Sequence, residues 1–415
     1  MSATATGVFR SLRNGNYRTW AAGALVSNIG TWMQRTAQDW LVLTQLTRHD
    51  ASAVGVVMAL QFGPQLLLLP WTGFAADHYN QRKLLMATQA TMGVLALVLG
   101  VLTVTGIVQL WQVYVFALLF GCASAFDAPV RQTFVTELVG DTDLPNAVAL
   151  NSTSFNAARM IGPAVAGVVI ASVGTGWAFV LNGASFVAVL ASLVLLRTSG
   201  LHANARAHRT KGSLTEGFRY VWSRPDLKAM LAMLFLIGTF GLNFPIFIST
   251  MAVNVFHADA RGYGLLSSIM AIGTVAGALL AAGGDRPRFT SLAVGAAVFG
   301  FGCTLAAIAP NYWLFAGALV VIGVAALTFT NATNSLMQLT TEPAMRGRVM
   351  ALRVAIALGG TPIGAPIVGW TADHLGPRWA LGIGAASGIA AATVALYTMT
   401  RLSREPIPNR WIEGG

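Results

Sequence analysis

The chain has 415 residues, of which 55% are hydrophobic and only 10% charged, with a mean hydropathy of +0.64. So few charges cannot cover a water-soluble protein of this size, so a bilayer must be the solvent for much of it, with backbone polar groups satisfied inside helices or a closed barrel. The net charge of +11 invites a nucleic-acid reading, which the distribution of that charge excludes.

Twelve apolar stretches follow in chain order, over 20–43, 52–74, 84–107, 111–132, 146–171, 176–197, 229–254, 263–283, 289–309, 312–337, 348–371 and 378–400. Each has about the 20 residues that carry a helix across a hydrocarbon core of about 30 Å. Runs such as Leu84–Val108 contain no charge and none of the alternation that barrel strands require. Arg10, Arg13 and Arg18 precede the first stretch without a cleavage-type signal, so that stretch is expected to stay in the mature protein. With the N-terminus taken as cytoplasmic, 20 of the 26 Lys and Arg fall on the cytoplasmic side. Three (Arg48, Arg261, Arg378) fall outside and three (Arg35, Arg159, Arg353) within spans. This bias predicts a multi-pass protein of the plasma (inner) membrane with both termini cytoplasmic; the basic charge is a topology signal, and no nucleic-acid partner is expected.

The longest polar stretch, Thr198–Lys228, divides six spans from six. The predicted organisation is an N-terminal bundle (1–197), a basic cytoplasmic linker (198–228) and a C-terminal bundle with its tail (229–415). Ser213 and Glu216 have capping-box spacing, so an interfacial helix carrying Phe218, Val221 and Trp222 is expected in the linker. Sliding the chain by 202 positions aligns 149–178 with 351–380 and brings Gly162, Gly167, Gly174 and Trp177 onto Gly364, Gly369, Gly376 and Trp379. The fold class is therefore an all-α membrane protein, with twelve transmembrane helices in two pseudo-symmetric six-helix bundles. Such repeats accompany alternating access around a midplane site.

Most of the 44 glycines read as packing residues, and Cys122 and Cys303 as small buried hydrophobes. There is no nucleotide-binding Gly-rich loop ending in Lys-Ser/Thr and no His/Cys metal-ligand cluster, and the six histidines lie outside span centres. Neither an ATP-driven pump nor an intramembrane hydrolase is expected, and no cofactor or metal.

Charges inside spans cost about 2.5–3.5 kcal/mol each to insert and face a cavity or a partner. Arg35 and Asp39 are four apart on one helical face, where they can pair. Asp39 reads either as a proton-titrating carboxylate set by Arg35 or as half of a static anchor. Arg159 has no acid nearby in sequence, so its partner is another helix or an anionic substrate. Asn28, Gln38 and Asn156 share this polarity in the first half; Asn243, Asn331 and Asn334, with Gln338, are the milder candidates of the second. Arg353 is close enough to the cytoplasm to snorkel.

Between spans two and three stands Gly73-Phe74-Ala75-Ala76-Asp77-His78-Tyr79-Asn80-Gln81-Arg82-Lys83. It resembles the hairpin signature of the major facilitator superfamily, Gly-x-x-x-Asp-Arg-x-Gly-Arg-Arg/Lys, with His78, Asn80 and Gln81 replacing Arg, Gly and Arg. The chain is most similar to the bacterial efflux branch that includes enterobactin exporters and macrolide-efflux-like permeases, the transmembrane secretion effector family. Ser27-Asn28-Ile29-Gly30-Thr31-Trp32, Asp127-Ala128-Pro129-Val130-Arg131-Gln132 and Arg346-Gly347-Arg348-Val349-Met350 carry that likeness. The resemblance implies a cytoplasmic gate of Gly73, Asp77, Arg82, Lys83, Asp127 and Arg131. In it Asp77 meets the start of span eleven, and Arg82 or Arg131 supplies the positive charge that Gln81 lacks. Gly162, Pro163 and Gly167 resemble the Gly-Pro antiporter motif of exporters, with Ala158 and Ala166 where glycine is usual; a packing kink is the other reading.

The expectation is a secondary transporter, a proton-coupled exporter of a small amphiphilic or anionic compound such as a drug, siderophore or secondary metabolite. The bilayer, the substrate and protons are its partners, and the protein is monomeric. An importer or lipid translocator of the same fold is the alternative, and a non-transporting sensor or scaffold the alternative of another class.

Overall fold

The computed structural model describes residues 9–197, 201, 214–283 and 287–402. Ser213, Arg206, Arg209, Lys211, Arg286 and the basic tail lie outside the described residues. The elements, in order, are α1 (Gly15–Leu41), α2 (Ala51–Leu67), α3 (Leu69–His78), α4 (Gln81–Val104), α5 (Leu110–Val173), α6 (Thr175–Leu195) and α7 (Leu214–Ser223). They continue as α8 (Pro225–Leu236), α9 (Phe244–Thr250), α10 (Ala260–Gly283), α11 (Phe289–Ile308), α12 (Tyr312–Thr340), α13 (Pro343–His374) and α14 (Pro377–Leu402).

Among the described residues, ten helical segments are long and apolar enough to cross a membrane, and α2 with α3, bent by 58°, makes an eleventh if taken as one span. The bend follows from Pro70 in the first turn of α3, which has no N–H to donate and whose ring crowds the preceding carbonyls. Helix α1 spans 27 residues, about 40 Å at helical rise, but its inward face carries buried Asn28, Gln34, Gln38 and Asp39. That polarity keeps α1 below the apolar threshold its length would meet.

Spans four and five run together as α5, longer than the sequence suggests, as Leu110–Gly140 and Asp143–Val173. Gly140 turns the chain between them at φ 68°, a left-handed conformation that glycine adopts without steric cost. Span seven is interrupted rather than continuous. After α8 come a π turn (Ile237–Gly241), a break, α9 and a second π turn (Met251–Val255). Pro245 near the start of α9 again removes a donor. The repeat seen in the sequence has a geometric counterpart: Gly174 and Gly376 lead into α6 and α14 at φ 97° and 102°.

Two surfaces join the halves of the chain, α2 against α13 and α5 against α10. At Gly55 an added Cβ would lie 2.5 Å from the Ala365 carbonyl oxygen, so only glycine permits this approach. The α2–α13 seam is tied at one end, where Asp373 accepts from the Ala51 and Ser52 amides, both at 2.7 Å. Toward the other end, which carries the 77–83 hairpin, the seam parts. Among the described side chains no hydrogen bond or ion pair joins α3 to α13. The first turns of α13 are held instead by α7, through Arg348–Glu216 at 3.0 Å, and by α12, through Arg353 to the Thr330 carbonyl at 3.3 Å. Among the described residues the two halves are thus tied at the Asp373 end, with no such side-chain tie between α3 and α13 at the hairpin end.

Candidate functional site

At the hairpin end, Asp127 of α5 gathers four donated hydrogen bonds. Thr88 and Gln89 of α4 donate to Oδ1 at 2.9 and 2.7 Å, and Arg131 donates twice to Oδ2, at 2.6 and 3.0 Å. Arg131 also reaches Asn28 Oδ1 of α1 at 3.1 Å. Asp127 is buried, and these bonds satisfy its carboxylate as burial of a charge requires. Of the two cations that the resemblance left open, Arg131 is the one beside Asp127. Arg82 donates instead to the Leu193 and Val194 carbonyls at the end of α6, and Lys83 begins α4 under the Asn80 cap with its side chain exposed. Gly73 and Asp77 lie in α3; the Asp77 side chain lies outside what is described. Its expected contact with the start of span eleven therefore lies outside the described residues as well.

One layer deeper, two guanidinium groups approach the Trp32 ring of α1. Arg35 lies 5.0 Å and Arg159 of α5 lies 5.5 Å from its ring centroid. Arg35 also covers Phe62 of α2 at 5.2 Å, and Phe155 meets Trp32 edge-on at 5.7 Å while remaining 46% exposed. Gly162 seats α5 on this ring: a Cβ there would be 2.5 Å from Trp32 Cβ. Pro163 and Gly167 turn the same helix against α10, where Gly264 touches the Pro163 carbonyl and Ser268 donates to Met160 O at 2.8 Å. The Gly-Pro segment therefore packs on two neighbours at once. Among the described residues neither Arg35 nor Arg159 has a carboxylate within 4 Å, and Arg35 Nε is buried without a partner.

The expected pairing of Arg35 with Asp39 is not formed. Arg35 extends toward Trp32, one turn earlier, where two aromatic faces receive its charge. Asp39 is buried and accepts from the Tyr263 hydroxyl of α10 at 3.3 Å, and Trp40 stacks on the same Tyr263 ring at 6.0 Å. Asp39 is thus a contact between α1 and α10, hence between the two halves of the chain.

The remaining candidates disperse. Gln38 accepts from Gln61 of α2 at 3.2 Å, leaving its own Nε2 unpartnered. Asn156 donates to Ser152 O in its own helix. Asn243 is fully buried and donates to Thr239 O at 2.7 Å, so it closes the break after α8 instead of facing open space. Asn331 and Asn334 are half-buried on one face of α12, with Gln338 exposed one turn on. Reasoning from charges alone missed Trp32, Phe62, Phe155 and Tyr263. The signal for Trp32 was available, since it precedes Arg35 by three residues and therefore shares its helical face.

A family model described as transmembrane secretion effector matches residues 6–407. The multidrug efflux pump Tap of Mycolicibacterium fortuitum is 27% identical over 85% of this chain and 88% of its own. The enterobactin exporter EntS of Citrobacter koseri is 26% identical over 88% of each. The staphyloferrin A transporter of Staphylococcus aureus (strain NCTC 8325 / PS 47) is 27% identical over 61% of this chain, and the match spans 63% of that transporter. Among solved structures, a bacterial homolog of the human lysosomal transporter Spinster, inward-facing and unoccupied, superposes with a TM-score of 0.73 at 14% identity, over 95% of this chain and 99% of that one. The chain belongs to the transmembrane secretion effector family of the major facilitator superfamily.

Proposed function

We propose that this member of the family is a proton-coupled exporter of small amphiphilic anions. Its twelve spans, counting α1 and the bent α2–α3 pair, form two six-helix bundles that rock about a central site. The hairpin end faces the cytoplasm, in keeping with the three arginines (Arg48, Arg261, Arg378) left at the other end. The chain acts in the plasma membrane as a monomer.

The observation that carries this reading is Trp32 within reach of both Arg35 and Arg159, with no carboxylate within 4 Å of either cation among the described residues. A cation left unpaired in a span is costly, and the cost is offset when an anionic ligand completes the site. Trp32, Phe62 and Phe155 add apolar and quadrupolar surface, so the preferred ligand carries both an anionic group and an aromatic or apolar body. Efflux is supported by the relatives Tap, a multidrug efflux pump, and EntS, an enterobactin exporter. On this reading the site is reached from the hairpin end, the side from which an exporter loads.

Release on the far side requires the Asp373 tie and the Asp39–Tyr263 contact to break while α3 closes on α13. Asp39 is placed to couple that motion to a proton. As the contact parts, its carboxylate is uncovered on the far side and takes up a proton; remaking it uncovers the opposite path for release.

Binding to the full chain in lipid nanodiscs tests the site. Arg159→Ala is expected to weaken binding of a catecholate or carboxylate siderophore about tenfold or more, roughly 1.4 kcal/mol, while a neutral drug of similar size changes little. Equal loss for both ligands contradicts an anion site; unchanged binding of both places the site elsewhere.

A further inference from the structure

Away from the central site, α8 and α14 form a cleft of about 310 Å³ at the hairpin end, lined by Lys228, Ala232, Val394, Tyr397, Thr398 and Arg401 among others. The two helices present matching stripes. On α8, Lys228 stands one turn from Ala232, and exposed Phe235 follows on the same face. On α14, Arg401 is followed inward by Tyr397 and Val394 at the same helical spacing. Each stripe has a cation nearest the helix end and apolar surface deeper in. Neither Lys228 nor Arg401 has a carboxylate within 4 Å among the described residues, because nearby Asp226 is taken by Arg224 at 2.7 Å. Each cation instead lies against an aromatic ring, Lys228 at 5.6 Å from Trp222 and Arg401 at 5.4 Å from Tyr397. Trp222 itself is 62% exposed and stacks on Phe218, forming the apolar face of α7.

We infer that this cleft binds one anionic phospholipid of the surrounding leaflet, with its phosphate between Lys228 and Arg401 and an acyl chain along Ala232 and Phe235. Charge complementarity and position select this occupant. Two cations without a carboxylate partner among the described residues, bordered by interfacial Trp and Tyr, attract a negative headgroup, and the groove below them accepts only an apolar continuation. With Arg348–Glu216 tying α7 to the first turns of α13, the lipid would brace the helix pair that must shift when the hairpin end closes. The inference rests on the hairpin end lying at a membrane surface, and the experiment separates the two.

Full-length protein is reconstituted in nanodiscs of phosphatidylcholine containing a small fraction of brominated phosphatidylglycerol or, in parallel, brominated phosphatidylcholine. The quenching assigned to Trp222 is that lost in Trp222→Phe. It is expected to be several-fold greater with the brominated phosphatidylglycerol, and Lys228→Gln with Arg401→Gln is expected to reduce it to the phosphatidylcholine level. Equal quenching by the two lipids overturns the site while leaving Trp222 at the interface; quenching by neither overturns it together with that placement. Millimolar inorganic phosphate is expected to leave the difference unchanged, and its abolition by phosphate would assign the cations to soluble anions instead. Should the double variant fail to fold, each single Gln variant is expected to lose about half of the excess quenching, and full retention in both overturns the assignment.

Discussion

Asp373, in the last turn of α13, caps the first turn of α2. Its carboxylate accepts from the backbone amides of Ala51 and Ser52, both at 2.7 Å, and from the Ser52 hydroxyl. A carboxylate is disfavoured at the C-terminal end of its own helix and favoured at the N-terminal end of another, so the charge stabilises the contact between helices more than the helix it belongs to. Charge-assisted bonds to two orphan amides make this the strongest polar tie between the halves at that end. Asp373→Ala is expected to raise the population open at the Asp373 end about tenfold, read from distances between spin labels at Arg48 and Leu375. An unchanged distance distribution would show that apolar packing along the seam closes that end unaided.

Asp50, the N-cap of α2, adds a pH dependence. Its partial burial, and then the Asp373 carboxylate beside it, hold its acid above the usual carboxylate range. The sign follows: a raised acid penalises the charged form in the closed state, so the closed state gains as pH falls through that elevated value and loses as pH rises. His49, His257 and His374 line the same cavity of about 640 Å³ as both carboxylates. The same spin-label pair should therefore show more of the closed distance at lower pH. Asp50→Asn should remove the part of that dependence lying in the carboxylate range. A variant with the wild-type profile would exclude Asp50.

The Asp127 network is expected to be structural as well as gating. Asp127→Leu strands Arg131 and two further donors in a buried layer, and hydrogen bonds to a charged group contribute about 1.5–3 kcal/mol each. Thermal unfolding in detergent should drop by several degrees, and Asp127→Leu with Arg131→Leu should recover part of the loss. If the single variant unfolds at the wild-type temperature, the layer is hydrated and these bonds contribute little.

Gly162→Ala puts a Cβ 2.5 Å from Trp32 Cβ and 3.0 Å from the Met33 amide nitrogen. Helices α1 and α5 must separate, at about 1–3 kcal/mol for overpacking, and Arg159 moves off the ring. Anion affinity should fall more than thermal stability. A variant with intact affinity would show that α5 accommodates the methyl group without moving Arg159.

Helix placement was legible from apolar run length, and so was the matched position of Gly174 and Gly376, which share a positive-φ backbone. The break after Leu67 was not read, although Pro70 marks it, since a hydropathy run continues through a bent helix. Asp39 and Arg35 were visible as intramembrane charges, but their partners were not: i, i+4 spacing permits a pair and cannot report a competing Trp32 in the same turn or a Tyr263 more than two hundred positions away. Asp373 was passed over because, next to His374 at a helix end, it reads as a solvated charge. Only the antiparallel fit of α13 on α2 makes it a cap.

Coupling through Asp39 is tested most directly by transport into inverted membrane vesicles under an imposed proton gradient, using an anionic siderophore as substrate. Asp39→Asn keeps a side chain of the same size, and its amide oxygen can still accept from Tyr263, but it cannot exchange a proton. The account predicts that gradient-driven accumulation is abolished while substrate binding and downhill exchange persist. Accumulation at the wild-type rate by Asp39→Asn would contradict it, making Asp39 an anchor between α1 and α10 and placing the coupling group elsewhere.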